Sequence, residues 1–185
     1  AQTQPPMGDA AISPPAAAPA ADTPPSAPPA PEAGLPAPDA ASYHGLTLST
    51  LSPETTAKLE TLPPAASRKN PVDVLGDALA DRYRLALDAL AADPQVDMLL
   101  VIVTPQTVTQ AKETAEAIAD TKKHSGKPVV AVFAGVAAFA EGFPVLESNQ
   151  VATLTYPEDG AQTLAALAQV ARWREQQLST PFSFN

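Results

Sequence analysis

The stretch Val96–His124, VDMLLVIVTPQTVTQAKETAEAIADTKKH, decides the fold. Val96 to Val103 is an almost unbroken apolar run, the composition of a strand buried on both faces in a parallel sheet. Thr104-Pro105 ends the run. A helix-period segment follows, with Val108, Ala111, Ala115, Ile118 and Ala119 on one face. Strand, turn and amphipathic helix make half of a βαβ unit. In open α/β sheets the turn after such a strand faces the ligand, because it lies at the carboxyl edge beside a helix N-terminus. Thr104, Pro105, Gln106 and Thr107 are therefore the leading candidate site. An ordinary helix cap explains them as simply as anion binding does.

Downstream, Lys122-Lys123-His124 places cations at the helix C-terminus and Gly126 is its expected cap. Pro128–Ala134 reads as another buried strand closed by Gly135, Ala137–Glu147 as a weaker helical stretch, and Val151–Tyr156 as a strand. Pro157-Glu158-Asp159 opens a last helix with Leu164, Leu167, Ala168 and Ala171 inward, ending near Gln177. Upstream, Val72–Leu75 reads as a short strand, Gly76 as a tight turn and Asp77 as the N-cap of a helix reaching about Ala92. That helix carries Leu79, Tyr83, Leu87 and Leu90 on one stripe. Before it, Ser52-Pro53-Glu54 opens a short helix that Pro63-Pro64 stops.

The order β-α-β-α-β-α-β-α predicts an α/β, flavodoxin-like or Rossmann-like three-layer domain with a four-stranded parallel sheet and right-handed crossovers. Residues 1–40 hold 13 Ala and 12 Pro, with no Lys, Arg or aromatic residue. Such a segment buries too little apolar surface to offset its ordering entropy. The expected organisation is a disordered Ala/Pro-rich tail or linker over 1–42, an approach segment with a short helix over 43–69, the α/β domain over 70–178 and a loose end over 179–185.

The net charge is −9, of which the tail's Asp9, Asp22, Glu32 and Asp39 supply −4, leaving −5 for the rest. That balance argues against a nucleic-acid surface, which needs clustered Lys and Arg. No apolar run has the length of a membrane span. The chain has no Cys, which excludes disulfides, thiolate catalysis and Cys-based metal sites. No signal peptide is visible, and Ala1 suggests a processed or excised chain.

Direct tests for chemistry return little. GxGxxG is absent, and Gly126-Lys127 precedes a strand where a phosphate-binding loop would follow one. His44 has no acidic partner nearby, and His124 reads as a cation at a helix end. Asp73, Gly76 and Asp77 are secondary candidates, Asp77 most simply as a cap. No metal-ligand cluster is expected.

The run LSPETTAKLETLPPAASRKNPVDVLGDA, then Tyr83, Asp93-Pro94-Gln95-Val96-Asp97, LLVIVTP, Lys127-Pro128-Val129-Val130 and Tyr156-Pro157-Glu158-Asp159, carries a resemblance. Over about residues 45–175 the chain resembles the flavodoxin-like CoA-ligase domain of NDP-forming (ADP-forming) acyl-CoA synthetases, relatives of succinyl-CoA synthetase. The resemblance implies the reaction acyl-CoA + NDP + phosphate ⇌ acid + CoA + NTP, through an acyl phosphate and a phosphohistidine. It implies that this domain presents a helix N-terminus to a partner's phosphohistidine at Thr104, Pro105, Gln106 and Thr107, with Gly135 in the adjacent turn. It further implies a cytoplasmic protein with no catalytic residue and no tightly bound cofactor of its own. CoA, ADP/ATP and phosphate enter through CoA-binding, phosphohistidine and nucleotide-grasp domains or subunits, none of which the chain contains. Many relatives have Gly-Gly where this chain has Gly135-Val136. The alternative expectation is a non-catalytic binding or assembly module that kept the fold. A free-standing flavin or nucleotide binder is the weaker third.

Overall fold

The computed structural model describes residues 37–179. The deciding apolar run forms β1, Leu99–Val103; β2 is Val129–Phe133 and β3 is Ala152–Leu154. The three strands are parallel in the order β1-β2-β3, with Leu99 opposite Val129 and Val130 opposite Ala152. All five residues of the central β2 are buried, as a strand covered on both faces requires.

One face of the sheet carries α3 (Ala80–Ala91), α4 (Ala111–Ser125) and α5 (Phe143–Ser148), and the other carries α6 (Pro157–Ser179) with α1 (Ala37–Tyr43) against it. Leu99, Val101, Val103, Ala131 and Phe133 enter the main core with Ala115, Ile118 and Phe139. The Phe133 ring lies 4.5 Å from that of Phe139 and 5.7 Å from that of Phe143. The alternate strand residues Leu100 and Val132 meet α6 at Gly160. A smaller core joins α2 (Pro53–Leu59) to α3 through Leu59, Leu62, Ala86 and Ala89. Burial on α6 stops early: every residue from Ala171 to Leu178 is exposed.

Several local signals hold. Ser52 caps α2 by accepting the Thr55 N–H, and Gly126 ends α4 in the left-handed region with its N–H donated to the Lys122 carbonyl. The buried Asp93 ties the approach segment to the α3–β1 connection. It accepts the backbone N–H groups of Ser52 and Gln95, each at 2.8 Å.

Four expectations are corrected. Among the described residues the sheet has three strands, because Val72–Leu75 does not join it. Asp73 Oδ1 accepts the Leu75 N–H at 2.8 Å and Leu75 takes φ +71, a local turn in place of an extended run; Ser67–Asp73 is only an isolated antiparallel bridge. The end of the expected tail is helical, since α1 covers 37–42 and buries Ala40 and Ala41 against Ala161; the tail before it and residues 180–185 lie outside the described residues. Leu79 is the N-cap of α3 and Val108 precedes α4, so both are exposed. On α6 the buried stripe is Ala161 and Leu164, while Leu167 and Ala171 face solvent.

Candidate functional site

Three turns meet at the carboxyl edge of the sheet. The connection from β1 to α4 is the seven-residue loop Thr104–Gln110. It is closed on itself: Gln106 N–H donates to Thr109 Oγ1 at 2.9 Å, and Thr109 N–H donates to the Gln106 carbonyl at 3.1 Å. Pro105 ends the strand before this turn, so helical geometry starts only at Ala111. Thr104 to Val108 are all exposed. The expected helix mouth at Thr104–Thr107 is therefore the loop in front of the helix, and the mouth itself is Gln110–Glu113.

That mouth is chemically open. The Gln110 N-cap makes no side-chain bond to its own helix; its Oε1 accepts the Ala80 N–H at 3.0 Å and caps α3 instead. The first bonded amide of α4 is Thr114, to the Gln110 carbonyl at 2.9 Å. The N–H groups of Ala111, Lys112 and Glu113 have no partner among the described residues, the usual state of a helix start, and the helix dipole makes them an attractive end for an anion. Glu113 in this turn is the one acidic side chain that opposes such a guest.

The neighbouring turns press on the loop. Gly135 takes φ +118, and a side chain there would sit 3.1 Å from the Pro105 ring, so glycine meets both the backbone and the contact requirement. A side chain at Gly76 would touch Gln106 Cδ at 3.5 Å. The structure thus brings together Thr104, Pro105, Gln106, Gly76 and Gly135, with Thr107 at the tip of the loop.

The two acids separate. Asp77 is not the expected N-cap of α3: it is exposed and pairs with Arg82 Nη1 at 2.6 Å. The hydrogen bond from Arg82 holds its carboxyl below the ordinary value. Asp73, bonded to the Leu75 N–H, lines a cavity of about 300 Å³ between β1, α3 and the Val72–Gly76 segment. The cavity has an apolar floor of Ala86, Leu87, Leu90, Leu99 and Val101 and a rim of Asp73, Tyr83, Thr104, Gln106 and Thr109. Burial pushes the Tyr83 phenol up, and the Asp73 carboxylate adds to the shift, so Tyr83 is a neutral O–H donor. A larger cavity of about 630 Å³ lies toward α1 and α6, lined by Leu46, Val72, Leu100, Leu164 and Arg172, away from the Gln106 turn and Gly135.

The histidines stay apart from this edge. His44 makes an edge contact with the Tyr43 ring at 5.2 Å, and His124 Nδ1 lies 2.8 Å from the Asp120 carbonyl at the far end of α4. Among the described residues no group of three or more His, Cys, Asp or Glu is placed to hold a metal ion, and no helix is long and apolar enough to cross a membrane. Sequence reasoning missed Thr109 and Gln110, and it read Tyr83 as part of a helix stripe and of the family resemblance without placing it at a site. Gln110 caps a helix whose start lies thirty residues earlier, which no local pattern encodes.

Comparisons with known proteins bear on the same region. The family model of the Ligase-CoA domain matches residues 29–179. The α subunit of an ADP-forming acetate–CoA ligase II from Pyrococcus furiosus is 35% identical over 144 residues, covering 75% of this chain and 32% of that protein. An ADP-forming acetate–CoA ligase I from Archaeoglobus fulgidus is 31% identical over 140 residues, 75% of this chain and 20% of that protein. Among solved structures, the apo dinucleotide-forming acetyl-coenzyme A synthetase 1 of Candidatus Korarchaeum cryptofilum superposes with a TM-score of 0.70 at 29% identity, covering 78% of this chain and 33% of that one. The chain spans about a third or less of the relatives it matches. With its parallel sheet and the turns at its carboxyl edge, the chain belongs to the Ligase-CoA domain family.

Proposed function

We propose that the chain is the CoA-ligase domain, or a small subunit, of an ADP-forming acyl-CoA synthetase, inactive alone. Its role is to hold a phosphoryl group carried on a partner's histidine. The observation that carries this reading is the open start of α4 behind the self-closed Gln106–Thr109 turn. Three amides without partners and the positive end of a fifteen-residue helix stabilise a phosphoryl oxygen without a cation. Thr104, Gln106 and Thr107 add exposed hydroxyl and amide groups, and Gly135 lets the neighbouring turn close against the Pro105 ring. The histidine, the nucleotide and CoA come with CoA-binding, phosphohistidine and nucleotide-grasp partners.

Moving a phosphoryl group between a histidine and an acyl or nucleotide acceptor needs charge stabilisation and alignment more than new covalent chemistry from this domain. The three preorganised amides at the start of α4 supply that without reorganising during the step.

The test is a graft. Residues 37–179 replace the Ligase-CoA domain of the P. furiosus α subunit, and ATP formation from acetyl-CoA, ADP and phosphate is assayed with its partner subunit. Retained activity is expected, and Thr107→Asp, which sets a like charge at the loop tip, lowers it by about a hundredfold. A folded but inactive graft sinks the proposal and leaves the binding or assembly module. That second reading is favoured by one observation, Val136, which stands where many relatives have the second glycine of a Gly-Gly pair.

A further inference from the structure

The outer edge of β1 and the segment beside it hold complementary backbone groups that do not meet. Leu99 N–H donates to the Pro128 carbonyl and Ala134 N–H to the Val103 carbonyl, which turns residues 99, 101 and 103 toward β2. The N–H and C=O groups of Leu100 and Ile102 therefore point away from β2, and they have no partner among the described residues. Across from them, Asp73 exchanges both of its backbone hydrogen bonds with Ser67, each at 3.1 Å. Neighbouring residues of an extended stretch face opposite ways, so the Val72 and Val74 backbone groups turn from Ser67 toward β1. Among the described residues only the Val74 carbonyl of that set is bonded, accepting from Arg82 Nη1 at 3.0 Å. A cavity of about 300 Å³ separates the two rows.

Local bonds hold the segment off the edge. Asp73 Oδ1 accepts the Leu75 N–H at 2.8 Å and closes the turn. Arg82 Nη1 bridges the Val74 carbonyl and the Asp77 carboxylate, so it occupies an acceptor that a strand ladder would use. The arrangement has a cost at Leu75, whose φ of +71 a bulky L residue adopts only under strain. A left-handed leucine, an unpaired strand edge and a cavity between them are three costs that one movement removes.

We propose that Val72–Leu75 is a strap with two positions. In the open one it is the turn held by Asp73 and Arg82. In the closed one it lies along β1 as a parallel fourth strand, joined through α3, with the Val72 and Val74 backbone paired to Leu100 and Ile102 and Leu75 returned to negative φ. The strap ends at Gly76, where a side chain would lie 3.5 Å from Gln106 Cδ. Closure therefore shifts the wall against which the Gln106–Thr109 turn rests, in front of the start of α4. The strap itself is independent of the phosphoryl reading; its use in regulating that site rests on it.

The test is amide hydrogen exchange, read by NMR on the full 185-residue chain. In the wild type the Leu100 and Ile102 amides should exchange faster than that of Leu99, which is bonded to Pro128. Asp73→Ala removes the bond that makes the turn and should slow both about fivefold. Leu75→Gly relieves the left-handed position without opening the turn and should quicken both. Opposite signs separate a strap from general loosening, which quickens exchange in either variant. Wild-type Leu100 and Ile102 as slow as Leu99, no slowing in folded Asp73→Ala protein, or slowing in Leu75→Gly overturns the proposal. The two readings fail separately. An active graft with no slowing in Asp73→Ala sinks only the strap, and slowing with an inactive graft sinks only the phosphoryl role.

Discussion

Asp93 shows how much one side chain can settle in a chain with few charges. Burial pushes its carboxyl up, but the Gln95 and Ser52 amides, with the Thr55 and Ser52 hydroxyls, outweigh that and hold it below the usual aspartate value of 3.8. A carboxyl lowered on folding contributes stability that is present above the unfolded value and lost as the pH falls through the folded one. Denaturant unfolding should therefore show stability flat at neutral pH and falling below about pH 4. Asp93→Asn places an amide nitrogen against an N–H donor, should cost about 1–3 kcal/mol at pH 7, and should flatten part of the acid limb. An unchanged acid limb in that variant would assign the loss to other carboxylates. The sequence shows Asp93-Pro94 only as a helix stop; the bond to Ser52, forty-one residues earlier, makes it a junction.

At the scale of elements, the strands β1 and β2 and the helices α4 and α6 are legible because their burial is periodic and continuous over several turns or pleats. The misreadings share a cause. Val72-Asp73-Val74 alternates as a strand should, yet an aspartate can bond the amide two residues on, and here that local bond displaces the ladder. Thr104–Gln110 looks like a helix start, yet Pro105 and the reciprocal Gln106–Thr109 bonds make a turn first, and α4 starts late. What holds that start in place is Gly142, at the N-terminus of α5. A side chain there would lie 2.8 Å from the Ala111 carbonyl oxygen and 2.9 Å from the Phe133 ring, neither of which can swing away. Gly142→Ala should cost about 1–3 kcal/mol in thermal or urea unfolding and alter amide exchange at Ala111 to Glu113. A neutral result would mean that α5 slides freely over α4. The candidate site was legible as a sheet edge and three of its turns, and not as contacts, since Gly76 to Gln106 and Gln110 to Ala80 each bridge thirty residues.

For the whole molecule, the layer order follows from the alternation of elements, and one missing strand leaves it intact because β2 remains covered on both sides. Among the described residues no strand pairs with the outer edge of β1, and two cavities share Leu99, Leu100 and Ile102 beside it. A sequence pattern reports the strand; whether a neighbouring edge is filled depends on a turn formed elsewhere.

The last turns of α6 are exposed, and they carry Trp173, 59% exposed and the chain's sole tryptophan. Its emission should be that of an indole in water in the native protein and should move little when the core melts. Urea unfolding followed at tryptophan fluorescence should then be nearly flat while far-ultraviolet circular dichroism shows a cooperative transition; a large emission shift on unfolding would mean that α6 is covered in solution. The optical probe most often used for folding is in this protein an indicator of whatever comes to rest on its outermost helix.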